Sequence, residues 1–336
     1  MKQVVTFGEI MLRLSPPLNY RLTQTPTFEA TYGGGEANVA ASLTQLGMPA
    51  AHVTCFPANE LGQAATQHFQ RYGVNMQHTV FRGERLGLYF LEVGASMRPS
   101  KVVYDRFDSA FANLRPADFN WEEILKDASW FHWTGITPAI SAAAAQACQD
   151  AITTARRLGI TVSGDVNYRR NLWQYGQKAQ DVMPGLVEGC DVIVASENDS
   201  EDLFGIVPQE GASHSFTSMA EQLMARFPTV KQVITTRRET LSASHNQLKG
   251  ILYDGKSFVE SPSYDIVPIV DRIGGGDAFI AGFIYGSLTT HDQQQALTFG
   301  VASSALKHTI HGDFNLATKA EVDEVVKGNT SGRLLR

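Results

Sequence analysis

Apolar positions follow two rhythms along this 336-residue chain. Val4-Val5-Thr6-Phe7, closed by Gly8, is a continuous apolar run that predicts a buried strand. A single glycine follows it, so the GxGxxG fingerprint of a dinucleotide fold is absent. From Leu12 to Tyr32 apolar residues alternate among Pro, Thr and Tyr, which suits strands or loops outside a βαβ core. Val39, Ala40, Leu43 and Leu46 then recur at helical spacing, stopped by Gly47 as C-cap with Pro49 beyond. Residues 52–56 form another short apolar run, and 60–72 a helix ending at Gly73. Between Leu86 and Arg106 the period returns to two, with Leu88, Phe90 and Val93, then Val102, Val103 and Tyr104, on either side of the turn 94–100. That is a β-hairpin pattern.

After Phe111 strands and helices alternate. Trp130 to Trp133 reads as a strand, 141–158 as an Ala-rich helix ended by Gly159, Ile160 to Gly164 as a strand and 175–188 as a helix. Val192 to Ala195 and Val233 to Thr236 are further strands, with a helix at about 217–227 between them. Repeated βα units require right-handed crossovers and a parallel sheet covered on both faces. The pattern predicts a three-layer α/β domain, formed by 1–11, 33–84 and 111–336, carrying a small β lid made of 12–32 and 85–110.

Composition narrows the function classes. A hydrophobic content of 43% supports a large core, and a formal charge of −6 gives no reason to expect nucleic acid or an anionic membrane as partner. Cys55, Cys148 and Cys190 are far apart and odd in number, and read as buried thiols in a reducing compartment. With no signal peptide and no stretch near 18 apolar residues, a cytoplasmic protein is expected.

The chemistry concentrates in glycine runs that open helices. In Asp271-Arg272-Ile273-Gly274-Gly275-Gly276-Asp277, the glycines precede Ala278, Phe279, Ala281, Phe283 and Ile284 at buried-helix spacing. Helix N-terminal N–H groups and the positive end of the dipole make an anion site there, with Asp277 as a carboxylate in the first turn. An anion cradle beside a base suggests phosphoryl transfer to a hydroxyl. The plain alternative is a tight turn into a helix with a capping aspartate. A second glycine run, Gly33-Gly34-Gly35-Glu36-Ala37-Asn38, opens the helix that ends at Leu46-Gly47. Asp165-Val166-Asn167-Tyr168-Arg169-Arg170-Asn171-Leu172-Trp173 follows a strand at its C-terminal end, where open α/β sheets place ligands. By contrast, Gly250 to Ser257 spells GxxxxGK[ST] letter for letter but contains Asp254-Gly255, a type I′ turn pair, between two apolar runs. It reads as a hairpin with Lys256 at its solvated tip.

These motifs carry a family resemblance. Asp271 to Asp277 resembles the DTxGAGD signature of the PfkB, or ribokinase-like, carbohydrate kinases, with Arg272 in place of Thr and Gly275 in place of Ala. Gly34-Gly35-Glu36-Ala37-Asn38-Val39-Ala40 through Leu46-Gly47 resembles the family's first signature. The two stand in the family's order and the likeness spans nearly the whole chain. It implies the ribokinase-like three-layer fold, a β lid over the sugar that often supplies a dimer contact, and thus a homo-oligomer. It also implies ATP and Mg²⁺ as cofactors and admits a monovalent cation.

The resemblance also implies residue roles. Asp277 is the catalytic base, and the amides of Gly274, Gly275 and Gly276 stabilise the transferring phosphoryl group. Asp-x-Asn-x-Arg-x-x-Leu-Trp resembles the substrate loop of members acting on 2-keto-3-deoxygluconate and related hexoses. In that subfamily the sugar acid would be held by Gly34, Tyr89, Tyr104, Arg106, Asn167 and Arg169, together with Asp277. Guanidinium forks and phenol hydroxyls suit a carboxylate, although tyrosines on a lid sheet also serve packing. Arg13 stands where neutral-sugar members often carry aspartate; it suits an acid, or it salt-bridges within the lid. Ser196, Thr236, Arg238, Gly274, Gly276 and His308 would contact ATP. Thr235 to Glu239 departs from the glycine-containing loop of many members, whereas Ala305 to Asn315 resembles the adenine-side segment. The NxxE element that organises Mg²⁺ water has two registers, Ser196 with Asp199 or Asn198 with Glu201, and the first fits better by counting back from Leu203-Phe204-Gly205. Asp199 would then act on the metal indirectly. The ending Ser331-Gly332-Arg333 is similar to the same subfamily. The implied activity is phosphorylation of the terminal hydroxyl of 2-keto-3-deoxygluconate, giving 2-keto-3-deoxy-6-phosphogluconate. The alternatives are a fructokinase or other sugar kinase of the family, and a catalytically silent sugar-binding relative.

Overall fold

A computed structural model describes residues 2–212 and 214–332. The main sheet runs in the order Phe258–Glu260, His245–Tyr253, Gln232–Ser242, Val192–Val194, Thr161–Asp165, Ala128–Thr134, Gln3–Phe7 and Ala50–Val53, with Tyr264–Ile266 also pairing His245–Tyr253. From Gln232–Ser242 to Ala50–Val53 every pairing is parallel, and the remaining strands are antiparallel.

Period-2 side-chain alternation divides these strands between two cores. Val5, Ala51, Phe131, Ile193 and Val233 enter one core, formed with the helices Ala142–Arg157, Ala179–Val187 and Ser215–Arg226. Their neighbours Val4, Ala50, Trp130, Val192 and Ile234 enter the other, formed with Gly35–Gln45, Gly275–Thr289 and Gln293–Lys307. A sheet buried on both faces needs continuous apolar runs, and the three predicted layers result. The three cysteines are free and buried, and burial pushes the Cys55 and Cys190 thiols up to about 12.

Two close approaches set the geometry of the site. A Cβ at Gly282 would stand 2.8 Å from Gly300 Cα, so Gly275–Thr289 and Gln293–Lys307 can pack backbone to backbone only because both positions lack one. That contact brings Ser304 against the first turn of the neighbouring helix, where its hydroxyl donates to the Gly275 carbonyl at 2.7 Å.

The lid is a four-stranded sheet in the order Glu29–Gly33, Met11–Ser15, Leu88–Glu92, Lys101–Asp105, with the middle pair parallel and the outer pairs antiparallel. The hairpin expected between 86 and 106 is present. Glu9, where the chain leaves the core for the lid, accepts from the Arg106 Nε at 2.8 Å and from the Ser109 hydroxyl at 2.5 Å, where the chain returns. Arg13 does not bridge within the lid. It is buried and pairs with Asp271 and Asp313 of the main domain, both at 2.7 Å.

Gly250 to Ser257 forms a hairpin. Tyr253 pairs antiparallel with Phe258, Gly255 has φ +87°, and Asp254 Oδ1 accepts from the backbone of Lys256 and Ser257 at 2.9 and 2.7 Å. Among the described residues no helix is long and apolar enough to cross a membrane. Of the ending Ser331-Gly332-Arg333, Arg333 lies outside the described residues.

Candidate active site

The C-terminal ends of the parallel strands open into a cavity of about 550 Å³. Its wall includes Gly33 to Gly35 on one side, Asp165, Asn167 and Arg169 after the strand Thr161–Asp165, and Ser196 and Asp199 after Val192–Val194. Thr235, Thr236 and Arg238 of Gln232–Ser242 and the whole run Arg272 to Asp277 complete it.

The helix Gly275–Thr289 starts on Gly274, whose φ of +77° is left-handed. A Cβ on Gly274 would lie 1.5 Å from the Asp313 carbonyl oxygen, so both the conformation and the space demand glycine. Gly275 gives its N–H to the Arg272 carbonyl at 3.3 Å and packs on the buried His308 ring. Gly276 is exposed at the wall, with nothing within 4 Å of where a Cβ would stand. Of the three glycines, Gly275 has its N–H taken by the Arg272 carbonyl, while Gly276 lies open at the cavity wall.

Asp277 is oriented from the other signature. Asn38 Nδ2 donates to Asp277 Oδ2 at 2.7 Å, and the Gly34 N–H donates to Asn38 Oδ1 at 3.3 Å. Burial pushes the Asp277 carboxyl up to about 7; the Asn38 bond and Lys307 oppose that rise, while Glu36 and Asp313 add to it. A carboxylate poised near neutrality suits a general base. Glu36 fixes the start of its own helix to the sheet. It accepts from the Thr134 N–H at 3.1 Å and from the Thr134 and Thr137 hydroxyls at 2.8 and 2.7 Å. Burial raises its pKa against those bonds.

The other residues expected in the site divide into groups. Gly34, Tyr89, Tyr104, Asn167, Arg169, Ser196, Asp199, Thr236 and Arg238 line the cavity with the glycine turn. Ser196 and Asp199 form a capping box, the Ser196 hydroxyl lying 2.6 Å from Asp199 Oδ2, whereas Asn198 and Glu201 are exposed and outside the lining. Asn167 takes φ +35°, an unfavourable backbone angle of the kind that clusters at functional sites. Arg106 lies outside this cavity, bonded to Glu9; it lines a neighbouring one of about 980 Å³ that shares Tyr104, Tyr168 and Arg169. His308 is buried, with Nδ1 2.7 Å from the Ser304 carbonyl, and does not line the cavity; burial and nearby cations push its pKa down to about 4.

Sequence reasoning assigned no role to Asn38, Glu36 or Asp313, whereas Asp165, read with Asn167 and Arg169 as converging on one polar substrate, lines the cavity with them. Asn38 lay inside a quoted motif, but its partner is 239 residues away. Asp313 accepts from the buried Tyr89 hydroxyl and from Arg13, and burial with that charge raises the Tyr89 pKa. Burial, then Asp199 and Asp277, push the Asp165 carboxyl well above its ordinary range. Among the described residues no group of three or more His, Cys, Asp and Glu could hold a metal ion.

A carboxylate in the first turn of one helix is thus held by an asparagine of a second glycine motif. Residues 1–319 match the model of the pfkB family carbohydrate kinases. The chain belongs to the PfkB family. It is 33% identical to a 2-dehydro-3-deoxygalactonokinase of Haloferax volcanii over 98% of both chains. It is 44% identical to the crystal structure of 2-dehydro-3-deoxygluconokinase from Thermotoga maritima, with TM-score 0.92, covering 98% of this chain and 100% of that one. A PfkB family carbohydrate kinase from Listeria grayi is 35% identical, with TM-score 0.90, over 97% and 100% of the chains. As a PfkB enzyme, the chain is a phosphotransferase built on the ribokinase-like fold.

Proposed function

We propose that this PfkB kinase transfers the γ-phosphoryl group of ATP to the terminal hydroxyl of 2-keto-3-deoxygluconate, giving 2-keto-3-deoxy-6-phosphogluconate and ADP. The observation that carries the reading is Asp277, raised to about 7 and held by Asn38 at the opening of the glycine-capped helix. Asp277 takes the hydroxyl proton as the sugar oxygen bonds to the γ-phosphorus and the bond from that phosphorus to the β–γ bridging oxygen breaks. The amides of the turn face the charge on the transferring group. Arg238 and Arg272 line the same cavity and suit the nucleotide phosphates.

The residues present fit a Mg²⁺ ion that arrives on the nucleotide and keeps its waters, because the wall offers Asp165 and Asp199 without a three-ligand cluster. Bound there, the ion neutralises phosphate charge.

The substrate assignment rests on free cationic charge and on the names of the relatives. Arg106 is paired with Glu9, whereas Arg169 has no carboxylate partner among the described residues and lines both cavities. Arg169, with Tyr104 and Asn167 nearby, is the group for the acid's carboxylate. The exposed lid strand Lys101–Asp105 is the surface for a homo-oligomer contact, and three buried thiols suit the cytoplasm.

The deciding experiment compares 2-keto-3-deoxygluconate, its galactonate epimer and fructose at saturating MgATP. The acids should exceed fructose by at least about tenfold in kcat/KM, since charge-assisted bonds from the exposed Arg169 to a carboxylate contribute about 1.5 to 3 kcal/mol and 1.4 kcal/mol is a factor of about ten. Arg169→Ala should raise KM for the acid far more than it alters turnover of a neutral sugar. Equal efficiency on fructose, or an unaltered KM in the variant, would make the chain a fructokinase.

A further inference from the structure

One buried charge beside the glycine turn, which opposes the rise of the Asp277 pKa, is given no further task by this chemistry. Lys307, the last residue of Gln293–Lys307, is completely buried. Its ammonium donates to the Asp271 carbonyl at 3.3 Å and to the Ile310 carbonyl at 3.0 Å. Asp271 opens the glycine turn and Ile310 lies just past the helix, so a single ammonium joins the two segments. The same seam holds the Val270 N–H on the His308 carbonyl at 2.8 Å, and the Gly312 N–H on Asp271 Oδ2 at 3.3 Å. Asp271 and Asp313 make their ion pairs with Arg13, leaving Lys307 to the two carbonyls.

A buried ammonium is costly, and an apolar side chain of equal length would fill the space without that cost. What it would not do is hold two backbone carbonyl oxygens on one positive charge, the task a dehydrated monovalent cation performs among backbone oxygens. Burial pushes the Lys307 pKa down, while the charges of Asp271 and Asp313 oppose the drop and support the ammonium form. Because Gly274 sits against the Asp313 backbone, movement along this seam would displace the turn and Asp277 with it.

We propose that Lys307 is a positioning residue whose ammonium serves as a built-in monovalent cation, fixing the Asp271–Gly276 turn on residues 308–313 so that phosphoryl transfer needs no free potassium or ammonium ion. The proposal rests on the kinase reading of the site, not on which sugar it takes.

The test measures MgATP affinity by calorimetry, and turnover of the sugar acid, in choline, sodium, potassium and ammonium chloride. The wild type should give the same values in all four salts. Lys307→Ala should lose about a hundredfold in kcat/KM, the scale of a misplaced reacting group. Potassium or ammonium should restore at least about tenfold of that loss by refilling the space, with MgATP affinity recovering in parallel. Lys307→Met, whose chain occupies the space, should stay low in every salt. A folded Lys307→Ala enzyme that matches wild type in choline overturns the proposal, as does one that no monovalent cation restores. Potassium activation of the wild type also overturns it, and that series depends on no variant folding. If wild type turns over no sugar acid in any salt, the substrate assignment fails while the MgATP titrations still decide the role of Lys307.

Discussion

Gly250 to Ser257 spells a nucleotide loop letter for letter, whereas Asp271 to Asp277 departs from its family's spelling at Arg272 and Gly275. The structure gives the faithful spelling to a hairpin whose tip is exposed and the altered one to the opening of a buried helix on the wall of the cavity. In the hairpin, backbone N–H groups at the tip are taken by Asp254, and the strands on either side lead away from a helix start. In the turn, the dipole of a 15-residue helix faces the cavity and a carboxylate stands in its first turn. The helix behind the glycines, more than the glycines themselves, makes an anion loop.

The largest effect should come from Asp277. Asp277→Asn should lower kcat by about two to four orders of magnitude with little change in sugar affinity, measured by steady-state kinetics and calorimetry. The same group sets a pH limb. With its pKa near 7, the base is protonated below that value, so kcat/KM of the free enzyme should fall about tenfold per unit as pH drops below 7. Stability runs the opposite way. The folded pKa lies above the ordinary 3.8, so the folded form holds the proton more tightly. The contribution is fully favourable below about 3.8, declines as pH rises, and is lost above 7. Asp277→Asn should therefore raise Tm relative to wild type at pH 8 and show little difference at pH 4; an equal gain at both would place the shift elsewhere.

A pair of glycine substitutions sharpens the contrast. Gly274 and Gly255 share a left-handed φ, +77° and +87°, but differ in surroundings. A Cβ at Gly274 meets a backbone oxygen at 1.5 Å, whereas at Gly255 the nearest atom is the end of the flexible Met224 chain at 3.4 Å. Gly255→Ala should cost only the backbone term, about 1 to 2 kcal/mol and a few degrees in Tm, with kcat unaltered. Gly274→Ala adds displacement of the Asp313 segment and should lower kcat by at least about tenfold as well. Equal losses of activity would mean that the two turns are coupled to catalysis alike.

What the sequence disclosed depends on the range of the interactions involved. The three layers were readable because each strand and helix carries its own period, as Val4 and Val5 or Trp130 and Phe131 show by entering opposite cores. The hairpin at Asp254-Gly255 was readable because its turn chemistry is local. Contacts across the chain were not. Asn38 meets Asp277 across 239 residues and Arg13 meets Asp313 across 300, with no periodicity to mark either pair. Arg106 shows the same limit, since its residue type suits a carboxylate and the local pattern holds nothing of Glu9. Helix boundaries were off where a turn precedes the helix, as with Ala179–Val187, expected from 175.

The smallest effect is expected at Lys256, where the comparison can be broken most simply. A lysine of a phosphate loop contacts the transferring group, and its loss would remove charge stabilisation made in the transition state, about a hundredfold or more in kcat. Lys256 is exposed at the hairpin tip, its backbone N–H is held by Asp254, and it is absent from the lining of the cavity. An exposed side chain with no partner contributes within about 0.5 kcal/mol to stability. Lys256→Ala should therefore leave kcat and the KM for ATP within about twofold of wild type, because 0.5 kcal/mol corresponds to about that factor. Tm should move by no more than about 2 °C. Steady-state kinetics with ATP as the varied substrate and a melting curve suffice, and the substitution can be paired with Asp277→Asn on the same day's enzyme. A hundredfold loss at Lys256 with Tm unchanged would show that the spelled motif binds phosphate after all, and the glycine turn would revert to a helix opening with a capping aspartate.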